Sequence, residues 1–152
     1  MDILLGKNGA NTKAIEINTT PGKQLTYSGG AYTLVELALQ DTFKRPFEII
    51  MNNWLLTPVG MKNADFAIQN PQSAGPNVAK GHFYSGEQIE GGWHNHPEQA
   101  AAGLWSNSKD LAKFLIEISK GYKGESQVFS KAVVDELLNE VIEGHVYGFI
   151  VA

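Results

Sequence analysis

Pro21-Gly22-Lys23-Gln24-Leu25-Thr26-Tyr27-Ser28-Gly29-Gly30-Ala31-Tyr32 places a phenol on a glycine-rich bend immediately ahead of a strongly apolar segment. Pro21-Gly22 marks a tight turn, Lys23 to Tyr27 reads as a few extended residues, and Gly29-Gly30 frees the backbone to change direction. Tyr27 is therefore presented on a bend and not inside a regular element. With Ser28 beside it and two residues without side chains behind it, it suits a cleft where backbone and ligand come close. An ordinary turn holding a hydrogen-bonded tyrosine is the competing reading of the same letters.

Beyond the bend, Leu34, Val35, Ala38 and Leu39 recur at helical spacing with Glu36, Gln40 and Asp41 on the other side. This predicts an amphipathic helix over 31–43. Lys44-Arg45-Pro46 breaks it, and Pro46 opens a second helix through Phe47, Ile50, Met51, Trp54 and Leu55 that Pro58 and Gly60 stop. Residues 61–92 are loop-rich, with enough alternation at 80–84 for a short strand; a long irregular stretch in a compact domain is usually functional or covers a site. A third helix over 109–119, capped by a serine between Ser106 and Ser108 and ended by Gly121, buries Leu111, Phe114, Leu115 and Ile118. A fourth over 131–142 buries Val133, Val134, Leu137, Leu138 and Val141, with Gly144 closing it. Val146 to Ala152 is β-prone, and 14–17 reads as a possible short strand upstream of the bend.

Composition narrows the function classes. A chain of 152 residues, 43% hydrophobic and 18% charged, is one globular domain or part of one. Its net charge of −4, with neither sign gathered into a block, supplies no basic face for nucleic acid. Its apolar runs fall well short of the roughly 20 residues of a membrane-spanning helix. The first residues lack a secretory leader pattern, which leaves the compartment open. With no cysteine there is no disulfide, thiolate metal site or cysteine nucleophile. His94 and His96 share one face of an extended segment, with Glu98, His82 and His145 as further candidates, but the spacing of a paired metal motif is missing; no metal and no cofactor are expected. Trp54 fits the buried stripe of the second helix, whereas Trp93, among glycines, is the tryptophan placed to line a cleft.

Three separated motifs carry a resemblance. Pro21-Gly22 with Tyr27-Ser28-Gly29-Gly30-Ala31-Tyr32, then Leu56-Thr57-Pro58-Val59-Gly60-Met61-Lys62-Asn63, then Ala100-Ala101-Ala102-Gly103-Leu104-Trp105-Ser106 with Asp110-Leu111-Ala112, resemble the serine β-lactamase family. The resemblance is to the branch holding class C β-lactamases, D-alanyl-D-alanine carboxypeptidases and related esterases. It implies an α/β, β-lactamase/transpeptidase-like fold in which a sheet domain packs on a helical one. This chain would be a partial single domain, with 21–142 mostly the helical subdomain and 146–152 a strand of the sheet subdomain. Tyr27 matches the tyrosine of the family's Tyr-x-Asn motif, a proton shuttle between nucleophile and leaving group. Ser28, Gly29 and Trp93 are the residues expected to face substrate, a small molecule or peptide in the complete protein.

The same comparison exposes departures. The family's Ser-x-x-Lys nucleophile helix lies upstream of the tyrosine, and nothing in 1–26 reads that way: proline and glycine break Thr20-Pro21-Gly22-Lys23. Ser106-Asn107-Ser108-Lys109 has the letters but falls on the family's Trp-Ser segment and reads as a cap. The edge-strand Lys-Thr-Gly motif is missing too, and Gly29 stands where the family's motif has an asparagine amide, which tilts the expectation towards esterase-like members. The expectation is a middle segment of a serine hydrolase, inactive alone, with paired copies able to complete each other's exposed strand edges. A non-catalytic binding or scaffold member of the same fold is the alternative.

Overall fold

The computed structural model describes residues 1–66, 76–141, 145–147 and 149–150. Helix α1 (Asp2–Leu5) ends on Gly6 in the left-handed region and leads into a loop that crosses the start of the next helix. Residues 14–17, read as a possible strand, join no strand ladder; Ile15 donates its N–H to the Leu4 carbonyl at 2.9 Å. A Cβ at Gly30 would lie 2.0 Å from Ile15 Cδ1, so glycine there gives the Ile15 side chain room to rest on the start of the helix.

Helix α2 (Gly29–Phe43) starts where Ser28, in an extended conformation, turns its Oγ back to accept the Ala31 N–H at 3.2 Å. The two glycines therefore form its first turn instead of a separate hinge. Its faces are the reverse of what amphipathic spacing suggests: Leu34 and Val35 are 48% and 52% exposed, while Glu36 is 9% exposed. The neighbours decide this. Helices α3 (Phe47–Met51) and α5 (Gln99–Ala102) pack against α2, and α5 meets its Glu36 side. There the Glu36 carboxylate accepts the Ala100 N–H at 2.9 Å, which satisfies a buried acceptor that no apolar periodicity could report.

After Pro46, α3 runs into a widened π-helical turn, Asn52–Leu56, and then α4 (Thr57–Val59). Pro58 does not stop the helix. It sits in the first turn of α4, where the N–H it lacks is not needed, and Gly60 with φ 77° ends the run. Leu56, Val59 and Met61 form a buried hydrophobic cluster, packed by Phe66, Phe114, Val128 and Phe129. At about 25 cal/mol per Å² of apolar surface removed from water, such a cluster is the main local source of stability.

Helix α6 (Ser108–Lys123) is capped by Asn107, whose Oδ1 accepts the Asp110 N–H at 2.9 Å, in place of the serine expected. It also continues through Gly121 to a left-handed Gly124. Gly121 is needed for close approach and not for termination: a Cβ there would lie 2.5 Å from Val134 Cγ2. Ile118 is buried, whereas Leu111 and Leu115 face outward. Helix α7 (Lys131–Leu137), capped by Ser130, is shorter than its spacing predicts; it buries Val134 completely and leaves Val133 and Val141 exposed. In the stretch expected as one strand, β1 (His145–Val146) pairs antiparallel with β2 (Phe149–Ile150), His145 opposite Ile150. Gly144 and residues 151–152 lie outside the described residues. At 80–84 the expected strand is a single bridge between His82 and Gln88. Among the described residues the chain is thus mostly helical, and the α/β class implied by the resemblance is not displayed by these short strands.

Candidate functional site

The second and third resemblance motifs meet in space. Asp65 and Trp105 exchange both backbone hydrogen bonds at 2.9 Å. Close to that bridge, the buried Asp110 carboxylate accepts the Asn63 backbone N–H at 2.6 Å and the Lys113 ammonium at 2.5 Å, and Lys113 also donates to the Gly60 carbonyl. Asp110 thus clamps the Gly60-to-Asn63 turn onto α6. Its carboxyl is held below the ordinary aspartate value of 3.8, chiefly by the Lys113 hydrogen bond and next by the Asn63 N–H, with burial opposing. Asn63, Asp110 and Lys113 therefore act as scaffold, holding the turn on the helix.

The first motif meets the third through α2 and α5. Gly103 lets α5 end tightly, since a Cβ there would lie 2.5 Å from the Gln99 Cα. The segment from His94 to Ala102 becomes a wall between three grooves of about 690, 460 and 260 Å³, all of which include His96. The largest also takes in Phe66, Leu104 and Trp105; the second takes in Asp2, Lys7 and Asn8; the smallest takes in Ile15, Gly29 and Gly30. His94 stacks edge-on near Phe83 and His96, with ring centres 6.2 and 6.3 Å apart. Among the described residues no three His, Asp or Glu side chains converge as a metal site would require.

The expected site residues are distributed as follows. Tyr27 is 96% exposed, directly ahead of α2. Ser28 spends its hydroxyl on the helix cap. Gly29 lines the smallest groove, and a Cβ on it would meet nothing within 4 Å. Trp93 donates its indole N–H to the Ala79 carbonyl at 2.7 Å, which ties down the 79–93 loop. Ser106 precedes the first turn of α6, so Ser106 and Lys109 do not share a helical turn; Thr20 to Lys23 is a turn closed by the Lys23 N–H on the Thr20 carbonyl at 3.2 Å. The wall that joins the grooves was missed from sequence. Its signal was the run of small residues 100–103, legible as close packing but not as a groove wall, because what packs there comes from α2 and the N-terminal loop.

This mostly helical arrangement, with an exposed tyrosine bend ahead of α2 and Asp110 holding the Gly60-to-Asn63 turn on α6, has a β-lactamase/transpeptidase-like fold. The sequence model of the Beta-lactamase family matches residues 10–147, and the chain belongs to that family. Among solved structures it resembles the octameric penicillin-binding protein homologue from Pyrococcus abyssi, with 22% identity and a TM-score of 0.64 over 82% of this chain and 27% of that one. It also resembles D-amino acid amidase from Ochrobactrum anthropi, with 20% identity and a TM-score of 0.62 over 78% of this chain and 33% of the other. The chain therefore spans about a third or less of the length of these structures. No curated protein sequence gives a significant match.

Proposed function

We propose that this chain is the helical-subdomain segment of a serine acyl-transfer hydrolase acting on an ester, amide or β-lactam, and that it is inactive alone. The observation that carries the proposal is the placement of Tyr27: a phenol 96% exposed, adjacent to the Ser28 cap and two residues before Gly29, which lines a groove. A phenol with an ordinary pKa near 10 is a poor base at neutral pH and needs a neighbouring cation to favour its anion. In the proposed enzyme that cation is the lysine of a Ser-x-x-Lys helix seated against this face, and the serine forms the acyl ester. The missing amide at Gly29 disfavours β-lactam or D-peptide recognition and tilts the reading towards esterase-like substrates. Association through strand edges belongs to the same proposal, and the Pyrococcus abyssi relative is octameric.

The test is turnover of a chromogenic β-lactam, a short acyl ester and an amino-acid amide by a longer protein that carries Ser-x-x-Lys upstream of this segment. Tyr27→Phe is expected to lower kcat/KM by about 10²-fold, the low end for a lost general acid–base group. Turnover by the 152-residue chain itself, or an unimpaired Tyr27→Phe protein, would overturn the proposal. A full gene with no such serine and lysine would favour the binding-module alternative.

A further inference from the structure

We propose that Asn8-Gly9 is a site of spontaneous covalent modification, where the asparagine amide leaves as ammonia and a turn that lines one groove is rebuilt through isoaspartate. The chemistry needs only the turn and water, so it stands apart from any hydrolase activity. The turn closes by the Ala10 N–H on the Lys7 carbonyl at 3.1 Å, with Asn8 at φ 54° and Gly9 at φ 88°. Positive φ at both central positions defines a type I′ turn, which Asn-Gly fills because asparagine tolerates the left-handed region and glycine enters it freely. Both residues are exposed, and nothing lies within 4 Å of the place a Gly9 Cβ would take. Among the described residues, neither the Asn8 side-chain amide nor the Gly9 N–H has a hydrogen-bond partner. No other asparagine of the chain is followed by glycine.

The Gly9 nitrogen attacks Cγ of the Asn8 amide, a step favoured where no side chain shields the attacking nitrogen. The N–Cγ bond forms, the Cγ–Nδ2 bond breaks, and Nδ2 leaves as ammonia with the Gly9 amide proton, which closes a five-membered imide. Water then adds to one of the two imide carbonyls. Addition at Cγ breaks the new bond and leaves aspartate. Addition at the backbone carbonyl breaks the original peptide bond and leaves isoaspartate, with the chain rerouted through the former side chain. Asn107 is the protected counterpart: its Oδ1 accepts the Asp110 N–H at 2.9 Å and the next residue opens α6, so the helix fixes both. The consequence falls on the groove of about 460 Å³, which Lys7 to Ala10 line together with Asp2 and the segment from His94 to Glu98. Either product adds a negative charge to that wall. Isoaspartate also lengthens the backbone by one carbon, which the tight closure from residue 7 to residue 10 does not accommodate.

The test is a time course of the 152-residue chain at neutral pH, folded and in concentrated urea, sampled by peptide mass spectrometry. Isoaspartate is counted by methyl transfer from labelled S-adenosylmethionine with an isoaspartyl methyltransferase. A gain of one mass unit is expected at Asn8 in the folded chain at a rate within about threefold of that in urea, because an exposed turn opens at almost no free-energy cost. At Asn107 the fold is expected to slow the same change at least about tenfold. Asn8→Gln, which would have to close a six-membered ring, is expected to remove the methyl-accepting signal. In the aged chain, NMR resonances of Asn95 and His96 are expected to move while those of Val134 stay. Protection of Asn8 by about tenfold or more on folding, conversion of Asn11 or Asn95 as fast as Asn8, or a methyl-accepting signal that survives Asn8→Gln would overturn the proposal. Unmoved resonances from His94 to Glu98 in chains carrying isoaspartate would overturn its consequence for the groove.

Discussion

Gly121→Ala tests the packing of α6 on α7. In an exposed helix interior the change would stabilise by about 1 kcal/mol, because alanine has the better helix propensity. Here the added methyl would lie 2.5 Å from Val134 Cγ2 and 3.4 Å from the Phe129 Cβ and carbonyl oxygen. Val134 is 0% exposed and β-branched, so it is held to essentially one rotamer in α7 and cannot swing aside. Overpacking a tight contact costs about 1–3 kcal/mol, so the net effect is a destabilisation of about 1 kcal/mol. Val134→Ala alone removes two buried methyl groups, at about 0.8 kcal/mol each plus a cavity term, and costs roughly 2–3 kcal/mol. In the double substitution the methyl added at position 121 moves into the space Val134 vacates and the propensity gain is recovered, which makes the pair about 2 kcal/mol less damaging than independent effects would be. Urea unfolding followed by far-ultraviolet circular dichroism measures all three. A stabilising Gly121→Ala, or effects that add to within about 0.5 kcal/mol, would show that the helices do not meet at this glycine.

On α2, Val35→Lys is expected to change stability by less than about 0.5 kcal/mol, whereas Glu36→Ala, which orphans the Ala100 N–H, is expected to cost about 1–3 kcal/mol by the same assay; the opposite order would restore the face that amphipathic spacing suggests. The depressed Asp110 pKa means the carboxylate stabilises the fold fully above its ordinary value of 3.8 and loses that contribution as pH falls through the lower native value. Asp110→Asn should therefore be less stable at neutral pH and show a flatter acid limb in a urea midpoint-against-pH series; parallel limbs would refute the clamp. Gly29→Asn, which returns the family's amide to an open helical position, is expected to leave stability unchanged or raise it by up to about 0.5 kcal/mol, and a loss above about 1 kcal/mol in thermal unfolding would show that a side chain is not tolerated there.

The largest gap between pattern and packing lies in α2 and α6. Both carry apolar residues around more than half of the helix, so periodicity identifies the helices without saying which stripe meets a neighbour. Leu34 and Val35 on α2, with Leu111, Leu115 and Tyr122 on α6, stay exposed, while an acid on each helix, Glu36 and Asp110, is buried by a backbone N–H from another segment. Those donors belong to Ala100 and Asn63, 64 and 47 residues away in sequence, a separation no local rule spans. The candidate site divides the same way. The bend, its serine and its glycines were legible as a unit, because cap and turn chemistry is local. The partnership of His96, Glu98 and Ala101 with Ile3, Lys13 and Ile15 was not, because it depends on Ile15 reaching Gly30.

By itself the sequence determined the cores of α2, α3, α6 and α7, the break at Pro46 and the stop at Gly60, the family through its three motifs and the exposure of Tyr27 on a bend. These follow from short-range chemistry: propensity, capping and φ restrictions act within a few residues. Tertiary structure alone decided which faces of α2 and α6 are covered, that Gly121 is a contact and not a stop, that Asp110 is a clamp, and that the wall from His94 to Ala102 joins three grooves. Each of these depends on where a distant backbone N–H or side chain arrives, and burial of a polar group is favourable only once that partner is in place.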